Sequence, residues 1–280
     1  MGVNYERQGK VAILTIQGRT ELNLFAPDTV YLPLYDAFME YEADEDACCA
    51  ILTGEGSKAF SAGGDLKAYE RLDMGYGREV GAILSGQAAE RSLGALIRGD
   101  VEIKKPMIFA VNGLCLGAAT IFVMCYADAS FAVPHAKFGL PEIKWAIGGG
   151  GGSQLQRFLP WPIAMELYLT GRLMDAEEAL RHGFINYVVP SDELMSAAMV
   201  KAEEIAAMPP LHIRRVKALM RADRKNSLAA SVQMEKLNGS GISYDHPDTR
   251  EGILSFVEHR KPNWVGNRRQ QPAAAGVMKG

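Results

Sequence analysis

Along the first two thirds of the chain, short unbroken apolar blocks alternate with stretches whose apolar residues recur every three to four positions. Val11-Ala12-Ile13-Leu14-Thr15-Ile16, Cys48-Cys49-Ala50-Ile51-Leu52-Thr53 and Met107-Ile108-Phe109-Ala110-Val111 are blocks of the first kind. They are too short for helices and rich in β-branched residues, so they read as buried strands. Ser130 to Val133 and Ile185 to Val189 extend the set. Between them, Pro27 to Ala43 sets Leu32, Leu34, Ala37, Phe38 and Tyr41 at helical spacing, with Pro27 in the first turn. Glu79 to Arg98 has helix-forming composition, and Ala118 to Ala127 reads as an apolar helix. Strands alternating with helices predict an α/β fold with a mostly parallel sheet. After Ser191 the texture turns helical, through Ser191 to Ala207, Leu211 to Arg224 and Asp248 to Arg260. The expected organisation is an α/β core over residues 1–190, a helical C-terminal region over 191–264 and a disordered tail over 265–280.

Composition narrows the function by exclusion. A net charge of −3 argues against nucleic acid as a partner, because phosphate binding usually requires a basic face. No stretch of about 18 apolar residues offers a membrane span, and no apolar leader follows the first residues, so a cytoplasmic protein is expected. Cys48, Cys49, Cys115 and Cys125 form no CxxC or Cys/His pattern, and neighbouring strand residues such as Cys48 and Cys49 point apart. Reduced thiols are the expectation. His135, His182, His212, His246 and His259 lack metal-ligand spacing, so no metal site and no catalytic histidine is expected.

Three segments carry candidate chemistry. In Lys58 to Lys67 a strand ends at Phe60, Gly63-Gly64 frees backbone amides, and Asp65 can cap a helix starting at Leu66. A plain strand-to-helix turn would look the same. In Val111 to Thr120 a second strand runs through small residues into a helix, whose free amides and positive dipole end suit a developing oxyanion. Close packing through small side chains is the alternative. In the third, Phe138-Gly139-Leu140-Pro141-Glu142-Ile143 precedes Gly148 to Gly152 and Ser153-Gln154-Leu155-Gln156. The glycines lack a following Lys-Ser/Thr, so this is no phosphate loop, and Ser153 with Gln156 reads as a capping box for another helix. Glu142, in apolar surroundings, is the best acid/base candidate.

Read together in order and spacing, these segments resemble the signature of the crotonase (enoyl-CoA hydratase/isomerase) superfamily. Ala176 to Asn186 and Glu251 to Pro262 resemble two further family segments, so the likeness runs from about Val11 to Trp264. It implies a crotonase-like ββα spiral core with a helical C-terminal region. By that resemblance, the amides of Gly64 and Ala118 hold a thioester oxygen, where removing one such donor typically costs about 3 kcal/mol of barrier stabilisation. Ala118 stands where the family usually has glycine. Family hydratases use two glutamates: the second matches Glu142, and the first matches Ile121, which cannot move a proton. A single glutamate at the Glu142 position resembles the family's isomerases.

Further positions follow from the same likeness. Lys67 matches a residue that approaches the nucleotide end of coenzyme A, and Phe256 and Lys261 lie on a helix that reaches a neighbouring subunit's adenine. Ala62, Leu66, Tyr69, Met74, Ile121 and Trp145 would line the substrate. Ordinary core packing or a solvated surface explains each one singly. The expected substrate is an acyl-CoA, with no separate cofactor, and the expected assembly is a homotrimer or homohexamer. The reaction stays open among isomerisation or hydration of an enoyl-CoA, another enolate reaction such as hydrolysis or decarboxylation using Asp73, Glu79 or Glu90, and a non-catalytic CoA-thioester binder.

Overall fold

A computed structural model describes residues 2–26, 30–71, 93–147, 152–224, 226–239 and 246–266. It opens with β1 (Gly2–Gln8), antiparallel to β2 (Val11–Gln17) across a turn at Gly9. The pattern reading missed β1, although Val3 and Tyr5 alternate with polar neighbours as a half-buried strand requires. Helix α1 (Leu32–Ala43) follows, with Pro33 rather than Pro27 in its first turn. Pro27 lies outside the described residues, as do residues 72–92, which hold most of the expected helix from Glu79, and Met74, Asp73 and Glu90 with it.

From here the chain repeats one manoeuvre. Strand β3 (Cys49–Gly54) is fully buried and is followed by the short β4 (Ala59–Ser61) and α2 (Leu66–Arg71). After α3 (Leu93–Arg98) come β5 (Met107–Val111), the short β6 (Leu114–Leu116) and α4 (Ala118–Tyr126). Then β7 (Ala129–Ala132) leads to the short β8 (Lys137–Gly139) and a 3-10 turn over Pro141–Trp145. The long strands join a six-stranded sheet in the order β1-β2-β3-β5-β7-β10, parallel from β2 onward, where β10 is Tyr187–Val188. The short ones form a second sheet in the order β4-β6-β8-β9, with β9 (Met174–Asp175) antiparallel at its edge. Strand, strand, helix, with the two strands in different sheets, is the turn of a ββα spiral.

Polar side chains pin the crossing from β3 to β4. Asn112 donates to the carbonyls of Gly54 and Gly56, both at 2.7 Å, and accepts from the Gly54 amide. Asn23, buried, donates to Glu55 O and Ala59 O at 2.9 and 2.8 Å. Around them Phe38 stands edge-on to Tyr126 and Phe25 tilts against Phe122, locking α1, α4 and the first sheet into one core.

Ser153 sits inside a 3-10 turn over Gly152–Arg157 rather than ahead of a helix, so the expected capping box is not formed. Helix α5 (Trp161–Thr170) follows, then α6 (Ala176–Arg181), which Asp175 caps by accepting from the Glu178 amide at 2.8 Å. Helix α7 (Leu194–Ala206) buries Leu194, Ala198, Ala202 and Ala206, a four-residue spacing that lines one helical face with small residues against β3 and β5. The first compact unit therefore ends at Ala206, not near residue 190. The second, from Ala207, holds α8 (Pro210–Asp223), α9 (Leu228–Gly239) and α10 (Pro247–Val257). Val265 and Gly266, expected in the loose tail, donate their amides to the Asp248 carboxylate. Among the described residues no helix is long and apolar enough to cross a membrane.

Candidate active site

The second sheet sets the site. Strands β4, β6 and β8 run parallel in register, Ser61 beside Cys115 and Leu116 beside Gly139, so the residues after their C-terminal ends are neighbours. Those residues are Gly63-Gly64, Gly117-Ala118 and Pro141-Glu142, the three segments that the sequence singles out. The carboxyl ends of parallel strands are where α/β sheets place ligands.

Two glycines permit the convergence. Gly63 has φ +88°, and a side chain there would meet the Leu116 carbonyl at 2.8 Å. Gly117 has φ +59°; a Cβ on it would lie 2.5 Å from Glu142 Oε1 and 3.8 Å from Gly63 Cα. The Glu142 carboxylate thus lies directly over the bare backbone of Gly117. Both backbone conformations favour glycine, and both leave room that any larger residue would fill.

The amides that follow these glycines, of Gly64 and Ala118, are left free by the surrounding backbone. Phe25 donates to Gly63 O, and Asp65 donates to Phe25 O, both at 2.8 Å, a bridge that leaves the Gly64 N–H facing away from Phe25. Ala118 opens α4, where no preceding turn can accept its N–H. Among the described residues neither amide donates to a protein acceptor. The Gly117 amide, by contrast, is held by Gly139 O at 2.9 Å. Thr120 Oγ1 lies 2.5 Å from Cys115 O and 2.9 Å from Gly139 O and accepts from the Gly139 amide, so one buried hydroxyl ties α4 to β8.

Glu142 is set by the 3-10 turn that its own carbonyl helps to close, accepting from Ile147 N at 3.0 Å. Helix α5, unforeseen from the sequence, packs behind that turn, and a Cβ at its capping Gly171 would touch Ile143 and Lys144. Glu142 Oε2 is buried with no hydrogen-bond partner among the described residues. Burial pushes the carboxyl above the ordinary glutamate value of 4.5, and its own backbone amide offsets part of that rise. A carboxylate displaced toward neutrality, beside two free amides, can move a proton next to an oxyanion.

The other expected residues distribute unevenly. Ile121 is 4% exposed, one turn into α4, its amide bonded to Gly117 O. Ala62 is half-buried beside the glycines, and Leu66 and Lys67 are exposed in the first turn of α2. Trp145 shares the turn of Glu142 and is exposed. Tyr69 is helical, but its side chain lies outside the described residues. Phe256 and Lys261 are exposed in the second unit.

Comparison with known proteins agrees with this architecture. The family model "Enoyl-CoA hydratase/isomerase" matches residues 6–267. The chain is 33% identical over 277 residues to a Carnitinyl-CoA dehydratase of Salmonella paratyphi A, covering 93% of this chain and 97% of that protein. Among solved structures, an enoyl-CoA hydratase from Mycobacterium tuberculosis superposes with a TM-score of 0.82 at 32% identity, covering 94% of this chain and 98% of its own. One from Bacillus anthracis gives 0.80 at 28% identity, covering 94% and 99%. A spiral core with paired amides at strand ends defines a crotonase-type acyl-CoA enzyme. The chain belongs to the enoyl-CoA hydratase/isomerase family.

Proposed function

We propose that this chain acts on an enoyl-CoA thioester, with the thioester oxygen between the Gly64 and Ala118 amides and Glu142 as its single proton-transfer group. The observation that carries the reading is the buried, unpartnered carboxylate oxygen of Glu142, on a carboxylate held over Gly117, in a chain whose Gly64 and Ala118 amides have no protein acceptor among the described residues. Negative charge that develops on a thioester oxygen during enolate formation is what two fixed donors stabilise. Addition or removal of water is the first reading, supported by relatives named for hydration and dehydration. Glu142 takes a proton from water as the oxygen adds at Cβ and returns that proton at Cα; elimination runs the same steps backward.

Ile121 favours a second reading. Its buried hydrocarbon side chain stands where the family likeness places another glutamate, and a lone carboxylate suffices to carry a proton from one carbon to another. Absorbance of the conjugated thioester separates the two: hydration of crotonyl-CoA loses it, isomerisation of a 3-enoyl-CoA gains it. No change with either substrate overturns both. Assembly as a homotrimer or homohexamer, and a cytoplasmic setting with no separate cofactor, belong to the same reading.

A further inference from the structure

The histidines that show no metal spacing along the chain include two that the fold brings together. We infer that His212, His246 and Asp248 form a binding site for one divalent transition-metal ion, with Zn2+ as its representative. A ring nitrogen of each histidine and a carboxylate oxygen of Asp248 all lie within 4.8 Å of one another, inside the second unit. The two rings meet edge to face with centroids 5.7 Å apart. Two imidazoles and one carboxylate are the donor set of borderline divalent ions, and three protein ligands leave a position for water.

The surroundings favour that use over simple packing. His212 Nδ1 is buried with no hydrogen-bond partner among the described residues, an arrangement that a bound ion would relieve. The Asp248 carboxylate is fully buried and oriented by the Val265 amide at 2.6 Å and the Gly266 amide at 3.3 Å, as outer hydrogen bonds orient metal ligands. Two features oppose a cation. Asp248 stands in the first turn of α10, at the positive end of its dipole, and Arg215 raises the local potential at His212. The charge of Asp248 offsets both. His246 must also release a weak cap, the Asp248 amide to its Nδ1 at 3.2 Å, or turn its other nitrogen to the ion. The ion would clip the start of α10 to the first turn of α8, a structural role separate from Glu142.

The test uses the untagged full chain, stripped with a chelator and desalted, titrated with Zn2+ by calorimetry, with bound metal counted by mass spectrometry. One Zn2+ per chain with micromolar affinity is expected, together with an intense visible spectrum when Co2+ replaces it. His212→Gln and Asp248→Asn should each weaken binding about 10-fold or more, and His135→Gln should not. Circular dichroism checks that the variants fold; His212, whose ring makes one long hydrogen-bond contact of 3.4 Å, with Thr249, besides its packing on His246, is decisive if Asp248→Asn does not. Parent chain that takes up less than half an equivalent, or His212→Gln that binds like the parent, overturns the site.

Discussion

Glu142 carries a carboxylate oxygen that is buried, unpartnered and set over the backbone of Gly117, and such a group destabilises the folded chain whenever it is ionised. Because its folded value lies above 4.5, the cost is absent below that pH and complete only above the raised value. Glu142→Gln, which never ionises, should therefore gain stability relative to the parent as pH rises. A gain of about 1 kcal/mol, or about 2–4 °C in Tm, is expected at neutral pH by calorimetry, shrinking toward pH 4. The same change should lower turnover roughly 100- to 10,000-fold, and the acid limb of the parental kcat/KM profile should lie above 4.5 and vanish with it. Unchanged activity would move the proton work elsewhere. Gly117→Ala asks the complementary question. Its Cβ would strike the far end of a flexible side chain, so the fold should lose about 1–3 kcal/mol for a backbone conformation that non-glycine residues rarely adopt, while the displaced carboxylate loses most of its turnover. Steady-state kinetics beside a melting curve separates the two effects.

Among elements, the buried long strands β2, β3 and β5 were legible because unbroken apolar blocks with β-branched residues leave little alternative. Of the short strands, β4 was read as a strand ending at Phe60, but β6 and β8 were not, since three residues carry no periodicity and β6 lies within a segment read as a plain lead into α4. Yet these short strands assemble the site. The segments containing Gly63, Gly117 and Glu142 could each be picked out, but only the parallel register of β4, β6 and β8 explains why they meet. Thr120 holds that register at its centre, and it was read only as one more small residue of its segment. Thr120→Val keeps the shape and removes the hydroxyl that joins α4 to β8. A loss of about 1–3 kcal/mol is expected, with a fall in kcat larger than any rise in KM, and Thr120→Ser should restore both. Equal kinetics for Val and Thr would mean that the strand ladder alone positions the site.

Across the whole molecule, the change of texture near Ser191 was visible, but the boundary was not. Helix α7 resembles the helices after it in composition, and only its spacing of Leu194, Ala198, Ala202 and Ala206 assigns it to the first sheet. The second unit then leaves α10 two-faced. Asp248 and Ser255 are buried on one side, with Gly252 near Trp264, while Ile253, Phe256 and Val257 are 57%, 79% and 66% exposed on the other. Positions i, i+3 and i+4 share one helical face, so this is a continuous apolar stripe rather than scattered exposure. Coverage by another copy of the chain would remove it from water, at about 1.5–3 kcal/mol for a fully buried phenylalanine. Light scattering on the purified chain should therefore report a mass near three or six protomers at micromolar concentration. Phe256→Asp, which places a charge in that contact, should shift the mass toward the monomer while the circular dichroism of the chain is retained. A parental monomer at that concentration, or a Phe256→Asp assembly as stable as the parent, would count against the stripe as the contact.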